Sequence, residues 1–260
     1  MLQFNAIKNP HIYVIGAGGT GGFAVEYLTR LFSDSKQRVT IELFDGDTVE
    51  LKNLKRQNFT MDDLDVKKST ALINRLKRNV PEPPTFVDNP EFIIDKDTFM
   101  MELMMRTEDD ETAIVVLAVD NIATRRLIND VTHELSDTLP IIAIDSGNHD
   151  QGGQVVLYAN GPVTHANMLG KKTRVTLPTM LELYPEIDII KSDADENPGI
   201  VQNCAENAES KPQAMMANVK NGEVIASLIH QLTQNHAIKD NVYVSDIITH
   251  RTKGVYNVGH

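Results

Sequence analysis

The sequence predicts an α/β protein whose Rossmann-like, doubly wound sheet is mostly parallel, is continued by antiparallel strands and carries helices on both faces. Apolar runs of strand length alternate with longer helical patterns as far as residue 144, which is typical of a parallel sheet. A glycine-rich turn joins the first run to the first helical pattern. After Gly147 the pattern changes to the polar–apolar alternation of an antiparallel strand.

The elements of the first part follow in a regular order. Each predicted strand is an apolar run, and each predicted helix carries apolar residues at helical spacing. The strands are expected at residues 11–15, 39–44, 85–87, 113–119 and 140–144, and the helices at 20–32, 67–79, 97–106 and 122–135. The apolar face of the first helix is expected to contain Phe23, Tyr27, Leu28 and Leu31.

The second part of the chain is less regular. A strand is expected at residues 153–158. Hydrophobic periodicity is weak between residues 161 and 211, and this loss of pattern predicts a long mobile crossover. A helix is then expected over residues 212–235, because the proline at its start suits a first helical turn. The terminal hairpin is expected to comprise residues 242–249 and 255–258 and to turn at Lys253–Gly254.

Charge and composition restrict the class of partner. The 260 residues contain 25 Lys+Arg and 36 Asp+Glu, a formal net charge of −11 that disfavours binding to nucleic acid and to anionic membranes. The longest apolar run, residues 113–119, is too short to cross a bilayer, and no secretory signal precedes the first strand, so a cytoplasmic protein is expected. Cys204 is the only cysteine, which excludes an internal disulfide and a cysteine-based zinc site.

The glycine-rich turn predicts a nucleotide site. Gly16, Gly18 and Gly21 fit the pattern G-x-G-x-x-G, and Gly19 lies within it. Glycine lets the backbone approach phosphate oxygens, and the amides at a helix N-terminus favour an anion. Asp45, at the end of the second strand, is placed to accept hydrogen bonds from ribose hydroxyls. The alternative is a tight structural turn, and the motif alone does not separate a redox cofactor from a triphosphate.

Polar and cationic residues follow Asp45 directly. They include Asp47, Asn53, Arg56 and Gln57. A nicotinamide enzyme has no chemical need for this cluster, whereas nucleotidyl transfer needs it, because negative charge builds on the α-phosphate and on departing pyrophosphate. The stretch resembles the ThiF/MoeB family, the ancestral form of ubiquitin-activating enzymes, whose fingerprint is Asp-x-Asp-x-Val-x-x-x-Asn-Leu-x-Arg-Gln.

The resemblance extends over most of the chain. Lys68 takes the position of a lysine at the start of a family helix, and Asp120-Asn121, followed by Arg125, matches the Asp-Asn at the end of a family strand. Ser146-Gly147 matches the small-residue turn that comes later. Cys204 stands where the family carries its cysteine.

The resemblance implies a role for each matched residue. The implied catalytic residues are Arg56, Lys68, Asp120 and Cys204. The implied nucleotide-binding residues are Gly16, Gly18, Gly19, Gly21, Asp45, Asp47, Asn53, Gln57, Asn121 and Arg125. Arg56 and Lys68 would neutralise the triphosphate, and Asp120 would hold Mg²⁺ through a shell of oxygen ligands.

The resemblance also implies a reaction. It is the ATP-dependent adenylation of the C-terminal glycine of a small ubiquitin-like or sulfur-carrier protein ending in Gly-Gly, with ATP and Mg²⁺ as cofactors and a homodimer as the usual assembly. The chain would be a single adenylation domain over residues 1–260, comprising a nucleotide-binding part (1–160), the crossover (161–211) and a C-terminal helix with a hairpin (212–260). The chain departs from the family in lacking paired Cys-x-x-Cys motifs, so no zinc is expected. It also lacks the N-terminal helix whose arginine reaches the neighbouring subunit.

Other interpretations stay open. The glycine motif also suits an NAD(P)-dependent oxidoreductase, and the missing arginine helix suits a non-catalytic nucleotide-binding scaffold. Arg56 and Lys68 could be solvated charges, and Asp120-Asn121 could cap the helix that follows. Cys204 could accept the acyl group or be an inert thiol. The methionines at helical spacing could fill a core or interface, or form a partner-binding surface; they are Met100, Met101, Met104 and Met105.

Overall fold

A mixed eight-stranded sheet forms the centre of the protein in the computed structural model, which describes residues 1–149, 151–167, 170–185 and 215–258. The strands are β1 (Leu2–Gln3), β2 (Pro10–Ile15), β3 (Thr40–Phe44), β4 (Thr85–Asn89), β5 (Thr112–Leu117), β6 (Ile141–His149), β7 (Gly152–Ala159), β8 (Val163–Ala166), β9 (Lys172–Val175), β10 (Ala237–Ile238), β11 (Val242–Asp246) and β12 (Arg251–Val255). The order in the large sheet is β12-β11-β7-β6-β5-β2-β3-β4.

The predicted sheet is confirmed. Strands β6, β5, β2, β3 and β4 pair in parallel, and β7, β11 and β12 continue the sheet in antiparallel pairing. Strand β2 is buried along its whole length, as a parallel strand covered on both faces must be. Because successive side chains point to opposite faces, Ile12 and Val14 join one core cluster, and Tyr13 and Ile15 join the other.

Helices cover both faces, as predicted. They are α1 (Gly19–Leu31), α2 (Lys68–Asn79), α3 (Lys96–Arg106), α4 (Ile122–Glu134), α5 (Met180–Leu183) and α6 (Met215–Asn235). Apolar residues of α1, α2 and α6 belong to the cluster on one face of the sheet, and those of α3 and α4 belong to the cluster on the other face. In the described parts of the chain, no helix combines the length and the apolar character that crossing a membrane requires.

The buried face of α1 differs from the predicted one. Leu28 is buried as expected, but Leu31 is 43% exposed, and Ala24 and Val25 are buried instead. Helix α1 packs closely against α6: a Cβ added at Gly222 would lie 2.8 Å from the Cβ of Phe23. Hydrophobic periodicity alone does not reveal such a contact with a helix distant in sequence.

The predicted crossover is wrong for its first part. Residues 161–185 contain β8, β9 and α5, and a second sheet has the strand order β10-β1-β8-β9. These strands have two to four residues each, too few for a visible alternation, and β8 pairs with Leu2–Gln3 at the other end of the chain. The remainder of the predicted crossover, including residues 191–211, lies outside the described residues.

The predicted hairpin exists, but its turn was misplaced. Strands β11 and β12 pair in antiparallel register with Gly254 opposite Tyr243, so the turn comprises residues 247–250. Gly254 lies within β12 beside Asp240, where a Cβ would lie 2.5 Å from the Oδ2 atom of that residue. The glycine that suggested a turn therefore permits close packing inside a strand.

We expect Gly222→Ala to lower the free energy of unfolding by about 1 kcal/mol. Overpacking against Phe23 and the backbone of Ala24 costs ~1–3 kcal/mol, and the ~1 kcal/mol that alanine gains over glycine in a helix offsets part of this cost. Ser227→Ala, at an exposed position of the same helix, is the control and should be neutral or slightly stabilising. Urea denaturation measures both; a stabilised Gly222→Ala would contradict the close packing of α1 on α6.

Candidate active site

The carboxyl ends of the parallel strands lie level with one another. Ile15 is opposite Phe44 and Leu117 in the register, and Leu117 is opposite Asp145. The turns after these strands are joined by backbone hydrogen bonds, from Gly16 N to Phe44 O (2.8 Å) and from Ala118 N to Ile15 O (2.9 Å). This edge is where open α/β sheets bind ligands.

The glycine turn closes over this edge before α1 begins. Gly16 has φ = +98°, and a Cβ there would lie 2.6 Å from the carbonyl oxygen of Ala118. A Cβ at Gly21 would overlap the carbonyl oxygen of Gly16. At Gly18, by contrast, a Cβ would meet only the Gln57 side chain, at 3.6 Å. The fold therefore requires glycine at positions 16 and 21, whereas at Gly18 the fold has room for a side chain and glycine keeps the backbone accessible to a ligand.

Asp45 is fixed beneath the glycine turn. Its carboxylate accepts hydrogen bonds from the backbone N–H of Ala17 (2.7 Å) and of Asp47 (2.9 Å), and the residue is 8% exposed. Burial raises the pKa of Asp45, while the positive charge of Lys68 opposes that shift. A carboxylate has about four lone-pair sites, so these two bonds leave acceptor capacity for ribose hydroxyls.

Lys68 is a buried cation. Its Nζ donates to Asp47 Oδ2 at 2.6 Å, its backbone N–H donates to the carbonyl oxygen of Asp47 at 2.9 Å, and the residue is 6% exposed. The interpretation of Lys68 as a solvated surface charge is therefore wrong. Helix α2 starts at this residue, so the helix places the cation beside Asp45, the residue that follows β3.

Arg56 and Gln57 lie on a loop that Asn53 organises. The Asn53 carbonyl accepts from the N–H of Arg56 (3.1 Å) and of Gln57 (2.9 Å), and its Oδ1 accepts from the N–H of Glu50 (2.8 Å). Asn53 is 2% exposed, and the hydrogen bonds that it forms stabilise the loop. Contact between Asn53 and a phosphate stays a prediction. The Oε1 atom of Gln57 is buried without a hydrogen-bond partner among the described residues, beside Gly18.

Arg56 itself is half-buried. Its guanidinium forms no hydrogen bond or ion pair with any residue of the described ranges, although its carbonyl oxygen accepts from Asn218 Nδ2 at 3.1 Å. The loop is thus held through its backbone while the cationic side chain keeps its donors. Such an arrangement suits an anionic ligand better than a structural ion pair.

The two residues after β5 have different surroundings. Asn121 caps α4, since its Oδ1 accepts from the N–H of Thr124 at 2.8 Å, so the capping interpretation is confirmed for Asn121. Asp120 is exposed and is not the cap. Its carboxylate remains available at the carboxyl edge of the sheet, and metal binding by Asp120 stays a prediction.

Arg125 is held in a buried network. Its NH1 atom is paired with Asp145, and its NH2 atom donates to the carbonyl oxygens of Val119 (2.7 Å) and Ser146 (2.8 Å). Burial lowers the pKa of Arg125 to about 10. These bonds tie the ends of β5 and β6 together, so the structure gives Arg125 a supporting position, and direct contact with a nucleotide stays a prediction.

Three buried polar residues near the site were not predicted: Asp145, Asn218 and Asn221. Asp145 follows an apolar run as Asp45 does, which was an available signal. Asn218 and Asn221 are three residues apart in a helix, where asparagine is a poor helix former, and this spacing indicates one shared face. Nothing local shows which distant segments their amides contact.

Two further predictions concern residues away from the strand ends. Cys204 lies outside the described residues, so its role stays a prediction. Core filling is wrong for three methionines of α3, because Met101, Met104 and Met105 are 60%, 50% and 78% exposed, while Met100 packs against the core. Among the described residues no group of three or more His, Cys, Asp or Glu side chains is placed to hold a metal ion.

The residues at this edge fit a nucleotide whose phosphates would supply some of the ligands of a bound Mg²⁺ ion. The accessible backbone at Gly18 suits a phosphate. The buried Gln57 Oε1, which has no partner among the described residues, and the acceptor capacity of Asp45 suit the N–H and hydroxyl groups of the ligand. Lys68 and Arg56 suit its phosphates. Mg²⁺ at such sites is usually bound by one or two carboxylates together with phosphates and water, a demand that exposed Asp120 can meet.

Comparisons with known proteins give one family and several partial matches. A protein-family model described as ThiF family matches residues 2–256. A ubiquitin-like modifier-activating enzyme 5 from Oryza sativa subsp. japonica is 29% identical over 141 residues, 52% of this chain and 32% of that protein. A sulfur carrier protein ThiS adenylyltransferase from Bacillus subtilis (strain 168) is 30% identical over 124 residues, 48% of this chain and 34% of that protein. The chain thus matches about a third of the length of these curated relatives.

Solved structures share the fold at low sequence identity. The crystal structure of selenomethionine PaaA has a TM-score of 0.60 at 16% identity and covers 98% of this chain and 66% of that chain. The crystal structure of E. coli MccB with ATP has a TM-score of 0.58 at 18% identity, with 96% and 65% covered. These matches agree with the Rossmann-like architecture described above.

We expect Arg125→Met to lower the free energy of unfolding by about 3–5 kcal/mol, because it leaves the carboxylate of Asp145, which is 0% exposed, buried without its partner. Lys220→Met, which breaks an exposed pair with Glu223, should cost at most ~1 kcal/mol. Thermal and urea unfolding measure both. The double variant Arg125→Met/Asp145→Leu should recover much of the loss; equal costs for the two single variants would contradict the buried network.

Proposed function

Because the chain belongs to the ThiF family, we propose that it is an ATP-dependent adenylyltransferase acting on the C-terminal glycine of a small ubiquitin-like or sulfur-carrier protein. The relatives named above act, by their names, on a ubiquitin-like modifier and on the sulfur carrier ThiS. A carrier of this class, ending in Gly-Gly, is the proposed partner. The whole of residues 1–260 would act as a single adenylation domain.

The arrangement of cations carries the proposal. Arg56 offers a guanidinium that is unpaired within the described residues, on a loop anchored beside the glycine turn, and Lys68 offers a buried ammonium beside Asp45 and Asp47. A dinucleotide redox cofactor needs the ribose acid and the glycine turn, but it gives no reason for two cations beyond them. A triphosphate cleaved after its first phosphorus does need both charges.

The chain's own residues would bind and orient the two substrates and neutralise the negative charge of the phosphates. A glycine carboxylate is ionised near neutral pH, so no general base is required for its attack on the α-phosphorus. The new bond forms between a carboxylate oxygen and that phosphorus, and the bond from phosphorus to the bridging oxygen breaks, so that pyrophosphate leaves with the electron pair. Arg56 and Lys68 would stabilise the charge that builds on the phosphate oxygens, and Asp45 would fix the ribose.

The remaining elements of the proposal rest on the family. Asp120 would hold Mg²⁺, which when bound supplies further neutralisation of phosphate charge. Cys204 would be the candidate acceptor for a later acyl transfer. A homodimer in the cytoplasm, with no structural zinc, no nucleic-acid partner and no membrane partner, completes the proposal.

The first test is exchange of labelled pyrophosphate into ATP in the presence of candidate carrier proteins that end in Gly-Gly. We expect Arg56→Ala to reduce the exchange rate about 100-fold, because it removes one charge-stabilising donor from the transition state. Lys55→Ala is the matched control, since Lys55 is the exposed cation next to Arg56 and should leave the rate unchanged. Full exchange in Arg56→Ala, or no exchange by the wild type with any candidate carrier, would refute the proposal.

The second test separates ATP from nicotinamide cofactors. We expect calorimetry to show ATP binding that Mg²⁺ strengthens, and Gly18→Ala should weaken it at least tenfold, because the added methyl group occupies backbone surface that a phosphate approaches. The melting temperature of Gly18→Ala should stay near that of the wild type, since the methyl group meets only the Gln57 side chain, at 3.6 Å. Tight NADH binding that is insensitive to Mg²⁺ would instead identify an oxidoreductase.

A further inference from the structure

Asn218 is a buried amide that joins three separate parts of the site. It lies on α6, is 1% exposed, and donates from Nδ2 to the carbonyl oxygen of Arg56 at 3.1 Å. Its Oδ1 accepts from Asn148 Nδ2 and, at 3.4 Å, from Thr20 Oγ1. One side chain therefore links the start of α1, the end of β6 and the Arg56 loop.

The Arg56 loop is held from its other side as well. Arg75 on α2 pairs with Asp63 (2.7 Å) and donates to the carbonyl oxygen of Asn58. Asn218 and Arg75 thus hold main-chain oxygens on either side of Gln57. Both anchors bind backbone oxygens of the loop. They therefore fix the position of Arg56 and leave the N–H groups of its guanidinium available to a ligand.

The chemistry of the Asn218 position is specific. A donor is needed toward the Arg56 carbonyl and an acceptor toward Thr20 and Asn148, and among side chains of this size only an amide offers both in one plane. Asparagine is less favourable than alanine inside a helix by several tenths of a kcal/mol. The contacts, and not helix formation, therefore account for asparagine at this position.

We propose that Asn218 is a positioning residue for Arg56. Its amide fixes the Arg56 peptide against α6 and the glycine turn, so that the guanidinium is presented to the phosphates in one orientation. The role of Arg56 toward phosphate belongs to the proposed function, and the inference rests on it. The anchoring of the loop does not, and it can be measured without any nucleotide.

Asn221 provides the matched control. It lies on the same helix, is 0% exposed, and donates to Ser146 Oγ and to the Gly147 carbonyl oxygen, both at 3.0 Å. No hydrogen bond of Asn221 reaches the Arg56 loop in the described part of the chain. Asn218→Asp and Asn221→Asp therefore introduce the same buried charge and differ in the segment that loses its donor.

Limited trypsin digestion tests the anchor in the free protein. Asn218→Asp keeps the acceptor but removes the donor to the Arg56 carbonyl, so cleavage after Lys55 and Arg56 should accelerate about fivefold, the factor for one lost hydrogen bond of ~1 kcal/mol. Asn221→Asp should cleave there at the wild-type rate. If Asn218→Asp does not fold, Asn218→Ala, which adds no charge, takes its place. Equal cleavage rates in the wild type and the Asn218 variant would overturn the proposal.

Calorimetry with Mg²⁺ and ATP tests the consequence. Asn218→Ala, which adds no charge beside the phosphates, should weaken binding about fivefold in the presence of Arg56 and less than about twofold in an Arg56→Ala background, because the two residues act through one contact. Asn221→Ala should have equal effects in both backgrounds. An Asn218 effect that persists without Arg56 would mean a general structural role and would overturn the positioning assignment. If the wild type binds no ATP, the proposed function fails, and trypsin digestion alone decides whether Asn218 anchors the loop.

Discussion

The close approach of two backbone segments at Gly16 and Gly21 is the constraint on which the site depends. A side chain at Gly21 would overlap the carbonyl oxygen of Gly16. Helix α1 can therefore approach the end of β2 this closely only because residue 21 is glycine. Three segments that are distant in sequence then contact the turn at the helix N-terminus, where the helix dipole favours negative charge; their residues are Asp45, Gln57 and Asn218.

The charged groups around this turn follow one physical rule. A charge taken out of water is expensive unless it is paired, so the buried cations Lys68 and Arg125 each face a carboxylate, Asp47 and Asp145 respectively. Arg56, which has no such partner among the described residues, stays partly in water. A cationic side chain without a protein partner, such as Arg56, is therefore compatible with a stable fold only where water still reaches it.

Local patterns were sufficient for the parallel half of the fold, because each parallel strand is a buried apolar run. The spacing from Asp45 through Arg56 to Lys68 is likewise a property of one continuous segment, so it is visible without the fold. Local patterns misplaced the turn of the terminal hairpin, because Gly254 resembles a turn residue but lies within β12 beside Asp240. A glycine in the sequence indicates a tight turn or a close contact, but it does not show which of the two is present or which residue makes the contact.

The sequence by itself determined the fold class, the family resemblance and the set of residues predicted to bind a nucleotide, because strand periodicity and the glycine–acid–arginine spacing are encoded within single segments. Only the tertiary structure decided which charges are buried and which polar atoms are already satisfied. Asn121 caps a helix and Lys68 is paired, whereas the Arg56 guanidinium donates to no other side chain or carbonyl in the described ranges. The physical reason is that hydrogen bonding and desolvation depend on distant partners, such as Asn218, whose approach is fixed by helix packing and not by neighbouring residues.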